Sequence, residues 1–132
     1  MERKAECSCG QLWVACRGEP EKVSICHCDA CRRRTGSAFG ISVFYKRESA
    51  QVGGESIAFK RDADAGFAVI FHFCPHCGST VFWEPSRKPG MIGVAAGAFA
   101  EADLAMPEQS VWDSHRYGWI EFPQAMQRRA ES

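Results

Sequence analysis

Eight cysteines stand in this chain, and seven of them fall into three short groups: Cys7-Ser8-Cys9-Gly10, Cys26-His27-Cys28-Asp29-Ala30-Cys31 and Cys74-Pro75-His76-Cys77-Gly78. Only Cys16 stands apart. Thiols at this density are either cross-linked or metal-ligating, and the redox state of the compartment decides which. The opening run Met1-Glu2-Arg3-Lys4-Ala5-Glu6 is charged and holds no apolar segment, so it does not read as a secretory leader and a cytoplasmic location is expected. In a reducing compartment the three groups read as metal ligands, and whatever fold the chain adopts must bring them together.

The length, 132 residues, suits one domain with one hydrophobic core. Lys plus Arg and Asp plus Glu both count 16, a balance that favours neither a nucleic acid nor any other polyanionic partner. Residues 66–83 carry no formal charge, which approaches the length of a membrane span. His72, Pro75, His76, Gly78 and two cysteines interrupt that run, which fits two buried strands joined by a tight metal loop, so no membrane association is expected.

Alternation of apolar and polar residues predicts strands over 11–17, 22–26, 40–45, 56–60, 67–73, 80–84 and 91–97. Turn signals separate them: Gly18-Glu19-Pro20, Gly53-Gly54, the run from Asp62 to Gly66, and Pro85 to Gly90. One short helix is expected over 30–35, with Gly36 ending it in the left-handed conformation. Further helical turns are expected near Glu101 to Leu104. The fold class is mainly β: a single domain over 1–123, followed by a tail over 124–132 that forms a last helical turn or frays.

The Cys74–Cys77 group has the form of a zinc knuckle, in which two thiolates three positions apart reach one tetrahedral ion and glycine permits the reversed turn. A structural zinc wants four ligands, and Cys7 with Cys9 is the natural complement. The rival is a redox Cys-x-x-Cys, but that chemistry needs a helix N-terminus to lower the thiol pKa, and a strand is expected to follow Cys77.

Cys26, Cys28 and Cys31 place three soft ligands within six residues. Three protein ligands leave the fourth position of a tetrahedral ion open, as catalytic zinc requires. The alternative is that Cys16 fills that position and closes the site. His27, between two ligands, is expected to point away. Of the following arginines, Arg32 and Arg33 are the better candidates to offset the negative charge of the site or to hold a substrate carboxylate. Ser37 is placed to donate into the same pocket. Trp83 and Trp112 are candidates to wall it, although tryptophans are more often simply core.

Taken in order, Cys7-x-Cys9-Gly10, Gly18-Glu19-Pro20, Cys26-His27-Cys28-x-x-Cys31-Arg32-Arg33, Gly36-Ser37-x-Phe39, Phe73-Cys74-x-x-Cys77-Gly78-Ser79 and Trp112 resemble the glutathione-dependent formaldehyde-activating enzyme family. The resemblance implies a β-tent of short antiparallel sheets with zinc knuckles. It implies two Zn²⁺ per chain: a structural one on Cys7, Cys9, Cys74 and Cys77, and a second, catalytic one on Cys26, Cys28 and Cys31. Arg32, Arg33, Ser37, Phe39, Trp83 and Trp112 then belong to the substrate side. The implied chemistry is that of a carbon–sulfur lyase acting on an adduct of a small aldehyde with glutathione, such as S-hydroxymethylglutathione. The other class of function is a non-catalytic zinc module that carries or senses a thiol or a protein partner.

Overall fold

The computed structural model describes residues 1–63, 66–101 and 103–132. Among them run eleven strands and one α-helix: β1 (Glu2–Glu6), β2 (Trp13–Arg17), β3 (Lys22–Cys26), α1 (Asp29–Thr35), β4 (Gly40–Lys46), β5 (Ala50–Gly53), β6 (Ile57–Asp62), β7 (Ala68–Phe73), β8 (Thr80–Pro85), β9 (Met91–Ala95), β10 (Gln109–Val111) and β11 (Gln127–Arg128). The mainly β expectation is met, and the seven predicted strands correspond to β2, β3, β4, β6, β7, β8 and β9. Of the expected turn from Asp62 to Gly66, positions 64 and 65 lie outside the described residues.

The strands form two sheets. One is three-stranded, in the order β1-β2-β5, and the other is eight-stranded, in the order β11-β10-β3-β4-β9-β8-β7-β6. Pairing is antiparallel except at one edge, where β10 runs parallel to both β3 and β11. The end of the chain, expected as a helical turn or a frayed terminus, instead supplies that edge strand. Near Glu101 to Leu104 the described residues form no helix, and Ala102 lies outside them.

Period-two alternation assigns each face of the large sheet its task. Val23, Val43, Tyr45, Phe82, Ile92 and Val94 point to one face and pack with Leu12, Val14 and Cys16 of the small sheet and its entry loop, making the core. Cys16 is fully buried there, and burial, then the Glu2 carboxylate, pushes its thiol up to about 12.

The opposite face carries a cross-strand row. Phe59 pairs with Phe71, Phe71 with Trp83, Trp83 with Gly93, Gly93 with Phe44, and Phe44 with Lys22. Glycine interrupts the aromatics for a steric reason. A Cβ built on Gly93 would lie 2.1 Å from Trp83 Nε1, so the indole lies across β9 only because that position has no side chain. The result is a broad aromatic floor on the side of the sheet where the chain leaves β3 and enters α1.

Helix α1 begins at Cys28, whose Sγ accepts from the backbone N–H of Cys31 (3.3 Å) as an N-cap. It ends at Gly36, φ 64°, whose N–H donates to the Arg32 carbonyl (2.8 Å). Arg32, Arg33 and Arg34 occupy the last turn, where positive charge complements the helix dipole. The helix buries none of its residues fully, so its position depends on the cysteines at its start and on Arg34 at its end. No described helix is long and apolar enough to cross a membrane.

Candidate metal centres and the adjoining cavity

Cys7 and Cys9, from the loop between β1 and β2, meet Cys74 and Cys77, from the loop between β7 and β8, with all four sulfurs within 4.8 Å of one another. Cys9 Sγ lies 3.6 Å from Cys7 Sγ and 3.6 Å from Cys74 Sγ. Zinc–sulfur bonds of about 2.3 Å at tetrahedral angles require sulfurs about 3.8 Å apart, so this donor set fits one ion.

The surroundings favour thiolates. Leu12 N–H donates to Cys7 Sγ (3.3 Å), while His76 N–H (3.3 Å) and Gln11 Nε2 (3.0 Å) donate to Cys74 Sγ. The Ser79 hydroxyl, then the backbone N–H groups of Ser79 and Cys9, hold Cys77 down at about 5. After Cys77 the chain enters β8, a strand, so the helix that a thioredoxin-like redox pair requires is not there.

Cys26, at the end of β3, joins Cys28 and Cys31 at the start of α1 in a second group, again with sulfurs within 4.8 Å of one another. All three are partly exposed. The thiols of Cys26 and Cys31, then the Cys31 backbone N–H and the charge of Arg61, press Cys28 down to about 2 against the opposing effect of burial. Its thiolate pushes Cys26 well above the ordinary thiol range. A group already holding one negative charge with two more soft donors beside it suits a thiophilic cation. Cys16 belongs to neither group, so the closed four-cysteine alternative for this second site is not formed.

His27 points away from the group, as expected, into a fully buried pocket. Its Nε2 lies 3.0 Å from Ser110 Oγ, and Ser110 in turn donates to Asp113 Oδ1 (2.9 Å). The ring packs between Phe39 and Phe122, at centroid distances of 5.3 and 5.6 Å. Its Nδ1 finds no partner among the described residues, and burial holds the ring below its ordinary pKa. Asp113 is fixed by Arg128 (2.8 Å), which ties β11 to the backbone behind the cysteines.

Cys26 and Cys31 open onto a cavity of about 330 Å³ whose floor is Phe44, Phe71 and Trp83. Arg34 spans it. Its guanidinium lies 4.4 Å from the Trp83 ring and 5.2 Å from Phe71, in the wall it shares with Cys26 and Cys31. A larger cavity, about 670 Å³, lies on the other side of Arg34 and is lined by Phe39, Thr35, Ser79 and Cys77.

The sequence-predicted substrate residues divide accordingly. Trp83 lines the cavity at the cysteines and Phe39 the larger one. Arg33 lines a third cavity with Phe59 and Phe73, which shares Arg34, Arg61 and Phe71 with the one at the cysteines. Arg32 is bound to Asp29 and stacks on Tyr117, and Ser37 is exposed on the surface. Trp112 lines neither cavity, but it holds φ 51°, a left-handed conformation rare for a bulky residue, directly after Val111, which does line the smaller one.

The residue that sequence reasoning passed over is Arg34, and the signal was present. Arg34 follows Cys31 by three positions and therefore shares its helix face. Lys22, Arg61, Arg87, Lys88 and Arg129 also line the smaller cavity. They come from both ends of the chain, and no local pattern marks them.

Fold and site together define a mainly β protein with two cysteine groups able to hold thiophilic metal, one of them at the mouth of a cavity. The sequence matches the glutathione-dependent formaldehyde-activating enzyme family over residues 2–115, and the chain belongs to that family. No curated protein matches it closely enough to count as a relative. The chain is similar in fold to a crystal structure of a Rhodobacter sphaeroides protein, with 19% identity and a TM-score of 0.57, covering 76% of this chain and 90% of that one.

Proposed function

We propose that the chain is a carbon–sulfur lyase acting on the adduct of a small aldehyde with a glutathione-like thiol, S-hydroxymethylglutathione being the simplest. The observation that carries this reading is the placement of Cys26, Cys28 and Cys31 at the mouth of an aromatic-floored, basic cavity in a chain of this family. In the cleavage direction the adduct's hydroxyl loses its proton, the carbon–oxygen double bond forms, and the carbon–sulfur electron pair returns to sulfur. The products are the aldehyde and the thiol.

A zinc ion bound by the three cysteines would hold the departing sulfur as its thiolate, lowering the thiol's effective pKa from about 8.5. The chain's own residues do the rest. Arg34, held over Trp83 beside Cys31, offsets negative charge on the sulfurs, and Arg61 acts likewise on Cys28. The floor of Phe44, Phe71 and Trp83 covers one side of the bound adduct and orients it. The four-cysteine group serves as a structural tie and takes no part in the reaction.

The test is aldehyde release from the adduct, and its formation, with and without the chain at matched thiol and aldehyde concentrations. Acceleration that disappears in Cys31→Ser is the expected result. Equal rates with and without the protein would leave a zinc module that only carries or senses a thiol.

A further inference from the structure

The charges around the smaller cavity say what kind of thiol it receives. Its charged side chains are Lys22, Arg34, Arg61, Arg87, Lys88 and Arg129, no aspartate or glutamate lines it, and the one further acid in its wall is the carboxylate of the last residue, Ser132. None of the six forms an ion pair among the described residues. Because acidic and basic residues are equal in number over the chain, this is segregation of charge rather than a basic composition.

The cations surround the aromatic floor. Lys22 ends the cross-strand row on β3, Arg61 lies on β6, Arg87 and Lys88 occupy the turn from β8 to β9, and Arg129 follows β11. Lys88 lies 4.2 Å from the Phe44 ring centroid, and burial, then the charges of Lys22 and Arg87, hold its ammonium below the ordinary lysine range. Six cations against the single carboxylate of Ser132 in a half-enclosed space repel one another and focus a positive potential that a further anion relieves.

Arg34 and Arg61 are already engaged on the floor, 4.4 Å from the Trp83 ring and 4.9 Å from the Phe71 ring. Lys22, Arg87, Lys88 and Arg129 remain. Glutathione brings two carboxylates and an ammonium, and the ammonium would meet six cations and only the carboxylate of Ser132.

Resting on the lyase reading above, we propose that the thiol received here is a phosphorylated one: its sulfur lies at Cys26, Cys28 and Cys31, and its phosphate groups lie among Lys22, Arg87, Lys88 and Arg129. The pocket thus selects by charge what the cysteines recognise by softness. The sequence-level expectation against a polyanionic partner rested on net charge alone, and a balanced total leaves room for one strongly basic cavity.

Calorimetric titration of the zinc-loaded full chain with coenzyme A, phosphopantetheine, glutathione and inorganic pyrophosphate tests the proposal. At least one phosphorylated thiol is expected to bind about tenfold or more tightly than glutathione, with pyrophosphate competing. Coenzyme A and phosphopantetheine separate a diphosphate-bearing ligand from a monophosphate. Combining Arg87→Gln with Lys88→Gln is expected to weaken the preferred phosphorylated thiol about tenfold and glutathione less than about threefold. Lys22→Gln, on β3 rather than in the β8–β9 turn, carries the same direction of effect if the double variant fails to fold. A smaller preference over glutathione, or affinity unchanged in the variants that fold, overturns the proposal. Tight binding of a phosphorylated thiol without turnover of its aldehyde adduct would sink the lyase reading and leave the anion site standing.

Discussion

The two cysteine groups use the same side chain for opposite ends. Cys7 and Cys9 reach Cys74 and Cys77 from 65 positions away in sequence, so their cluster ties the entry of the small sheet to the β7–β8 loop of the large one. Cys26, Cys28 and Cys31 sit within six residues and tie together only the end of β3 and the start of α1. A long-range cluster restricts the unfolded chain and holds sheets in place, whereas a local one closes almost no loop and contributes little to the fold. That difference leaves the local cluster free to keep a ligand position open and to face a cavity.

The strongest way to break the comparison is Cys77→Ser. If the four-cysteine group is the tie, this variant loses one zinc and about 10 kcal/mol or more of folding free energy, read as loss of the folded circular dichroism spectrum and as metal content. A folded Cys77→Ser protein with normal thermal stability would make the two groups equivalent. Gly93→Ala probes the floor of the cavity instead. The added methyl displaces Trp83, at an expected cost of about 1–3 kcal/mol, with a shift in tryptophan emission and weakened thiol binding while both metals stay bound.

Asp113 sharpens the comparison from behind the three-cysteine group. Burial works against its charge, but Arg128 and Ser110 hold its carboxyl below the ordinary aspartate range. A depressed folded-state pKa contributes stability that is present above the unfolded value, about 3.9, and is lost as pH falls through the folded one. Asp113→Asn should therefore cost about 1–2 kcal/mol at neutral pH and flatten the loss of stability below about pH 4. The smallest effect on folding is expected from Cys31→Ser. This variant loses one zinc and its thiol binding with about 1 kcal/mol or less of stability, measured by denaturant unfolding beside metal analysis.

Much of this was legible in the sequence, and physical reasons separate what was from what was not. Spacing within a few residues fixed the knuckle and the three-cysteine group, because both are local. Alternation found the strands with a clear apolar face. It missed β1, where Ala5 is the one fully buried residue among charges, β5, which has no fully buried residue, and β10, whose buried Gln109 and Ser110 hydrogen-bond Ser24, His27 and Asp113. β11 is two exposed residues whose pairing depends entirely on β10. The basic cavity left no trace in composition, since its six cations run from position 22 to position 129 and become neighbours only through the strand order. Arg34 is the instructive case: helix geometry, not proximity in sequence to the last cysteine, selects the arginine that faces the sulfurs.

The central claim is an unequal division of sulfur, four ligands for one ion and three for the other. X-ray absorption at the zinc edge counts those ligands directly. The account predicts an average of about 3.5 sulfurs per zinc in the two-zinc protein, rising to about 4 when a thiol ligand is added. An average of 4 before any thiol is added, or one that does not move on its addition, would contradict it.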